Sequence, residues 1–410
     1  MRVLIYYEVK KLFGNRMVLI MLVLFSFLNF MRIYSNYQNT IQKEKRYFNA
    51  YFEIYNQVSG EWNTDKIQYV IAEYEKANAI VQAGDFATEP NQPGTHTGYI
   101  FGDLGLFEQI KNEMESLYKY EQSMDELIQR ASDNATFYKE KGNIYQQKVN
   151  EKIVTAYSNR KVNAFYDTMG IREYLKYDFS VLFITILTVL MLSPIFAREH
   201  EIEMYGLLKL TSQFRSLTIC KVLAGGIAVC MIGSFFFLQD FLSFSVLYHI
   251  KGLSQPIYSL PDYYYSPLNI SIGGYLFLNA ALKILCFLTI GGICMAISAA
   301  VKNEVIPFCV SFVIALGLFL ADAFFHQSTA STLNPITLSK SSRLFASFDV
   351  VKVIGTPVYR FVIPILFGLL ACCILSIVIT LILIISQSER EHSIYQKQQL
   401  HNTGGDQYEI

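Results

Sequence analysis

This chain predicts an all-α polytopic membrane protein with a large polar insert, on three observations. Hydrophobic residues make up 52% and charged residues only 17% of the 410, whereas a soluble domain carries about 25% charged residues. The apolar residues gather into six runs, at 17–33, 179–197, 222–248, 276–301, 305–325 and 361–386. Each is close to the ~20 residues that carry a helix across ~30 Å of hydrocarbon. The stretch between the first two runs, 34–178, is polar and repeats at helical spacing. In lipid every backbone polar group must be satisfied within the segment, so runs of this kind form helices.

Residues 1–16 place Leu4, Ile5, Val9, Leu12 and Phe13 on one side of a helix, with Arg2, Lys10, Lys11 and Arg16 among them. An amphipathic interfacial helix on the anionic cytoplasmic leaflet is expected. The run 17–33 lacks a small-x-small cleavage site and closes on Asn29, Met31 and Arg32, so it reads as an uncleaved first span. Four basic residues precede it, which sets the amino end inside. Six spans then return both termini to the cytoplasm and put 34–178 outside, in a cytoplasmic cell membrane. The last outer loop, with Lys340, Arg343, Lys352 and Arg360 against Asp349, is more positive than that orientation favours, but the first span usually dominates.

Within the insert, Tyr47, Tyr51, Ile54 and Tyr55 are spaced i, i+4, i+7, i+8, the mark of one helix face. Breakers fall at 59–60, at 84–85 and across 89–102. Long helices are expected over 103–132 and 135–166, with a weak point at Gly142. The domain is expected to be mainly helical, its tyrosines either filling a small core or offering a peptide-binding surface. Further on, Gly225, Gly226 and Gly233 allow close helix approach in the third span. The prolines and the tyrosines 263–265 of loop 251–275 suit a water–membrane boundary. Residues 302–304 form a tight turn, 326–360 a second outer loop, and 387–410 a polar tail. All seven cysteines lie in or beside the spans and read as small apolar packing residues.

The chemistry carried by motifs is sparse. Lys+Arg and Asp+Glu are both 34, so no basic footprint for nucleic acid exists. No phosphate-binding GxxxxGK, HExxH, paired CxxC or GxSxG occurs, and the six histidines are scattered. No catalytic residue, metal site or cofactor bound by this chain is expected. Two charges stand out in the spans. Asp240 lies roughly 27 Å along the third span, near the outer boundary, and Lys283 about 10 Å below the outer surface in the fourth. A lone Lys at mid-helix costs about 2.5–3.5 kcal/mol, so an Asp240–Lys283 pair is one expectation. A snorkelling Lys and an interfacial Asp that never meet is the other. The inner halves of the spans lack acids apart from Glu304 at the boundary, which speaks against an ion-coupled transporter.

The stretch 201–221 reads EIEMYGLLKLTSQFRSLTICK. Leu207, Leu208, Leu210 and Phe214 share a helical stripe, with Lys209 and Arg215 off it. A short amphipathic helix at the foot of two spans can receive a push from a soluble partner. Here Glu201, Glu203, Leu207, Leu208, Thr211, Arg215 and Lys221 stand in the order E…G…LL..TP.sR…K, which resembles the loop between spans two and three of permease subunits of the type-two, exporter-like ABC transporter family. Ser212 stands where that family often has proline, and Gly206 lies about a turn later than its glycine. Tyr7-Glu8-Val9-Lys10-Lys11 is similar to the family's entry helix, 297–303 (ISAAVKN) to the end of its fourth span, and Leu333-Asn334-Pro335 to part of its last outer loop. The resemblance implies six spans and coupling of the 201–221 residues to two ABC ATPase subunits, which would bind ATP and Mg. It also implies a second permease, identical or related, and export of a peptide, lipid or antimicrobial compound. The insert 34–178 matches no particular domain, although large outer domains after the first span occur in members of that family that handle peptides, lipids or antimicrobial compounds. Two other classes stay open: an ATP-independent transporter or channel, and a ligand-binding membrane sensor or scaffold.

Overall fold

The structure, a computed structural model, describes residues 1–84, 94–201, 214–325 and 333–404, without the side chains of 200, 214, 215, 384 and 386–404. Helix α1 (Arg2–Phe13) stops at Gly14, and the Asn15 side chain accepts the Met17 N–H to start α2 (Arg16–Tyr37). α2 runs past Arg32 and ends in a π-helical turn at Gln38–Gln42. No glycine or proline interrupts 17–59, so a helix once nucleated propagates beyond its apolar part.

The insert is helical, as its periodicity predicts. α3 (Lys45–Val58) buries Tyr51, Ile54, Tyr55 and Val58 along one stripe. Asn63 caps α4 (Thr64–Ala83) through Asp65 N–H, and Gly84 ends it at φ 71°, a left-handed conformation that favours glycine. The two long helices expected next are three: α5 (Ile100–Tyr118), α6 (Tyr120–Glu140) and α7 (Ile144–Tyr157). One break falls at Gly142 (φ 67°). The other, at Lys119, carries no breaker residue. β1 (Gly60–Glu61) pairs antiparallel with β2 (Ala164–Phe165), closing the ends of the insert on each other. Two strands this short have no pattern that sequence could show.

The chain then enters the bundle through α8 (Met169–Lys176), α9 (Phe179–Leu192) and α10 (Pro194–Glu201). α11 (Phe214–Tyr248), α12 (Ile272–Ala300), α13 (Val305–Phe325), α14 (Ser341–Phe345) and α15 (Val362–Gly404) complete it. The loop before α15 folds into a hairpin of β3 (Val350–Val353) with β4 (Thr356–Tyr359). Among the described residues six stretches are long and apolar enough to cross a membrane: Arg16–Gln42, Met169–Glu199, Ser216–Tyr248, Ile272–Ala300, Val305–Phe325 and Val362–Leu383. α9 is the most enclosed, while α2, α13 and α15 show apolar side chains outward, as lipid-facing helices do. α12 packs against α9, α11, α13 and α15. A Cβ on Gly291 would sit 2.8 Å from Leu192, and one on Gly225 2.8 Å from Met295, so both glycines set the approach of α9, α11 and α12. Gly233 is close to Ile284, but Gly226 has room.

The insert is seated on the loops at its end of the bundle. The Tyr120 ring stacks on Tyr258 at 4.9 Å. The Arg160 guanidinium lies between Tyr157 and Tyr258, at 4.6 and 4.7 Å, and donates to the Ser266 carbonyl at 2.7 Å. α1, α10, the start of α11 and the 301–304 turn come together at the opposite end.

Candidate functional site

The site is built on a break. Span two is interrupted between α9 and α10 at Ser193-Pro194. Proline lacks an N–H and suits the first position of a helix. The restart leaves first-turn donors without carbonyls in their own helix. Two of them, Phe196 N–H and Ala197 N–H, both donate to Ser298 Oγ on α12, each at 3.1 Å. The foot of span two is thereby fixed to span four by one buried hydroxyl.

One turn on, Glu199 reaches two cations. Its Oε1 takes Lys11 Nζ of α1 at 3.2 Å, and its Oε2 takes Lys221 Nζ of α11. Glu199 is 6% and Lys221 2% exposed; Lys221 also lies 5.5 Å over the Phe196 ring. A buried carboxylate shared by two ammonium groups ties the entry helix, span two and span three at one point. Breaking such a pair strands a buried charge, at a cost of about 3–5 kcal/mol. Beside it, Glu201 Oε2 accepts the Glu304 N–H at 3.0 Å, joining the end of α10 to the turn that leads into α13. An acidic side chain here also suits the positive end of α13's helix dipole.

Of the residues singled out in sequence, the structure brings Glu201 and Lys221 to this foot. Lys221 is an internal anchor, with no surface to offer a partner. Arg215 lies in the first turn of α11, its side chain not among those described. Glu203, Leu207, Leu208 and Thr211, with the amphipathic helix they were expected to form, fall in 202–213, outside the described residues. Sequence reasoning missed Lys11, Glu199 and Ser298 as site residues. Their signals were present but unread as chemistry: a basic entry helix, an acidic cluster after span two, and a serine in ISAAVKN.

At the other end of the bundle the expected Asp240–Lys283 ion pair is not formed. Lys283 Nζ is 3.2 Å from Asp178 at the entry to α9. Asp240 accepts from Asn29 Nδ2 at 2.6 Å, and Asn29 Oδ1 accepts from the Tyr177 hydroxyl at 2.8 Å. The correction has a plain cause: Asp178 begins the helix next to α12, a neighbour that linear order does not reveal. Buried Asp322 on α13 likewise receives Lys340, with Arg343 at 3.9 Å, and Arg360 pairs with Asp349 at 3.1 Å. The positive excess of that loop is thus partly neutralised inside the protein.

Among the described residues no group of three His, Cys, Asp or Glu could hold a metal ion. No family model matches the chain, and neither a curated protein nor a solved structure matches it.

Proposed function

We propose that this chain is the permease subunit of an ATP-driven exporter of the ABC type, two such permeases working with two separate ATPase subunits. The observation that carries this reading is the Glu199 clamp. It joins α10, which precedes the 202–213 segment, to Lys221 of α11, which follows it, and adds the entry helix through Lys11. With α10 and α11 joined by buried charge, a pull on either would move spans two and three together. Closure of an ATPase dimer on that segment would shift these spans against the rest, and the differential affinity of the ATPase for the two arrangements supplies the work. The chain itself supplies no nucleotide site in this scheme; ATP and Mg belong to the partner. A peptide, a lipid or an antimicrobial compound is the cargo class.

The test is isolation of the full chain from its native membrane. A stoichiometric ATPase in the complex supports the proposal, and a chain that purifies without one overturns it. Within such a complex, Arg215→Glu is expected to abolish substrate-stimulated ATP hydrolysis while membrane expression stays at the parental level. Unchanged stimulation would remove Arg215 from the coupling contact.

A further inference from the structure

The insert contains a groove that the coupling scheme does not use. α4 and α5 lie side by side and line an open groove of about 680 Å³, within the roughly 300–1,000 Å³ typical of ligand sites. Ile67, Val70 and Ile71 of α4 and Met114 of α5 form its floor; Trp62, Tyr74 and Tyr118 form aromatic walls. The walls are held by the fold. Trp62 Nε1 donates to the Val162 carbonyl at 2.6 Å, and its ring meets Tyr118 edge-on at 5.8 Å. Yet the apolar surface stays open to solvent: Ile71 is 37% and Tyr118 62% exposed.

The lining carries both signs of charge. Lys111 Nζ lies 3.7 Å over the Tyr74 ring and forms no ion pair with a described acid. Glu75 is exposed and likewise unpaired among the described residues, while Glu115 is bound to Lys119 at 2.5 Å. An acyl chain would need none of these charges. A nucleotide or other polyanion would find one cation against two carboxylates. A peptide combines apolar side chains, polar backbone and ends of both signs, and aromatic walls are the usual anchors for it. From Thr64 to Glu75 the groove runs roughly 17 Å at the helical rise, the reach of about five extended residues.

We infer that the α4–α5 groove is a binding site for a short hydrophobic peptide segment, its apolar side chains on Ile67, Ile71 and Met114 and its charged groups on Lys111 and Glu75. This site stands whether or not the chain serves an exporter, since binding to it needs no ATPase.

The protein carries a built-in reporter, because Trp62 is its one tryptophan. Full-length protein in lipid nanodiscs is titrated with a tryptophan-free hexapeptide pool built from Leu, Ile, Phe and Tyr with one Lys and one Glu, and Trp62 emission is followed. The expected result is a saturable shift. Ile71→Lys, which charges an already exposed position, should weaken it at least tenfold. Phe137→Lys, on the exposed tip of the α6–α7 hairpin, should leave it unchanged. Tyrosine emission reports that the variants remain folded. No saturable change with the pool, an undiminished change in Ile71→Lys, or an equal response to palmitate would overturn the assignment, the last by showing a general apolar surface. None of these results depends on ATPase co-purification, so the two proposals fail separately.

Discussion

Arg160 has its guanidinium between two tyrosine rings and gives Nη1 to the Ser266 carbonyl and the Tyr120 hydroxyl. A planar guanidinium can lie face-on between two rings and still donate from its edge, whereas an ammonium has no flat face to sandwich. Desolvated cation–π contacts are worth about 2 kcal/mol each and charged hydrogen bonds about 1.5–3. Arg160→Met should therefore cost about 3 kcal/mol or more of stability, seen as a lower thermal midpoint, and Arg160→Lys should recover less than half of it. Full recovery by lysine would mean that charge alone matters there. Burial also moves Asp167, raising its pKa above the ordinary carboxylate value. The sign follows: the native state holds the proton more tightly, so this group's contribution to stability falls as pH rises from about 3.9 through the raised value. Both its hydrogen bonds, from Tyr51 and from Met169 N–H, reach Oδ1, which an asparagine keeps. Asp167→Asn should flatten that part of the stability–pH curve without loss at neutral pH, measured by thermal unfolding across a pH series.

At the scale of elements, the break at Ser193-Pro194 matters most. An unbroken span two would need no help from span four. The broken one depends on Ser298, so Ser298→Ala leaves two buried N–H groups without their acceptor, at about 1–3 kcal/mol. Under the proposed function it should also lower coupled ATP hydrolysis while the outer end stays intact. Unaltered Trp62 emission with reduced hydrolysis is the expected pair of readings; a changed emission would place the effect in the whole fold instead. The helix pair α4–α5 differs in kind. It leaves part of its apolar seam exposed, and that unfilled seam is the proposed peptide site.

Across the whole molecule, two polar layers bracket an apolar bundle. One is the Lys11–Glu199–Lys221 foot; the other is the shelf of Asn29, Asp178, Asp240, Lys283 and Asp322 beneath the insert. Between them lie mostly apolar and small residues. If the basic entry helix faces the cytoplasm, a cysteine at Ser132 of α6 should react with an impermeant maleimide on intact cells. One at Lys302, in the turn beside the foot, should react only after permeabilisation. The reverse pattern would invert the orientation and remove the 202–213 segment from any cytoplasmic engine.

Length and hydropathy were enough to locate the six helices that, among the described residues, are long and apolar enough to cross a membrane, because a bilayer imposes its thickness on each segment separately. Tyrosine spacing likewise found α3, since it is local; the helix boundary expected at 132–135 lies inside α6, and Gly142, expected only as a weak point within a helix, follows its end. The partners of the charges were another matter. Depth leaves Lys283 either to meet Asp240 or to snorkel alone; adjacency of helices decides, and it gives Lys283 to Asp178. Glu199 looked like one of several acids in a loop until folding brought Lys11 from 188 residues away to its side. Each segment's apolar content is a property of its own residues; where a buried charge finds its counter-charge depends on how the helices pack, which no single stretch of sequence contains.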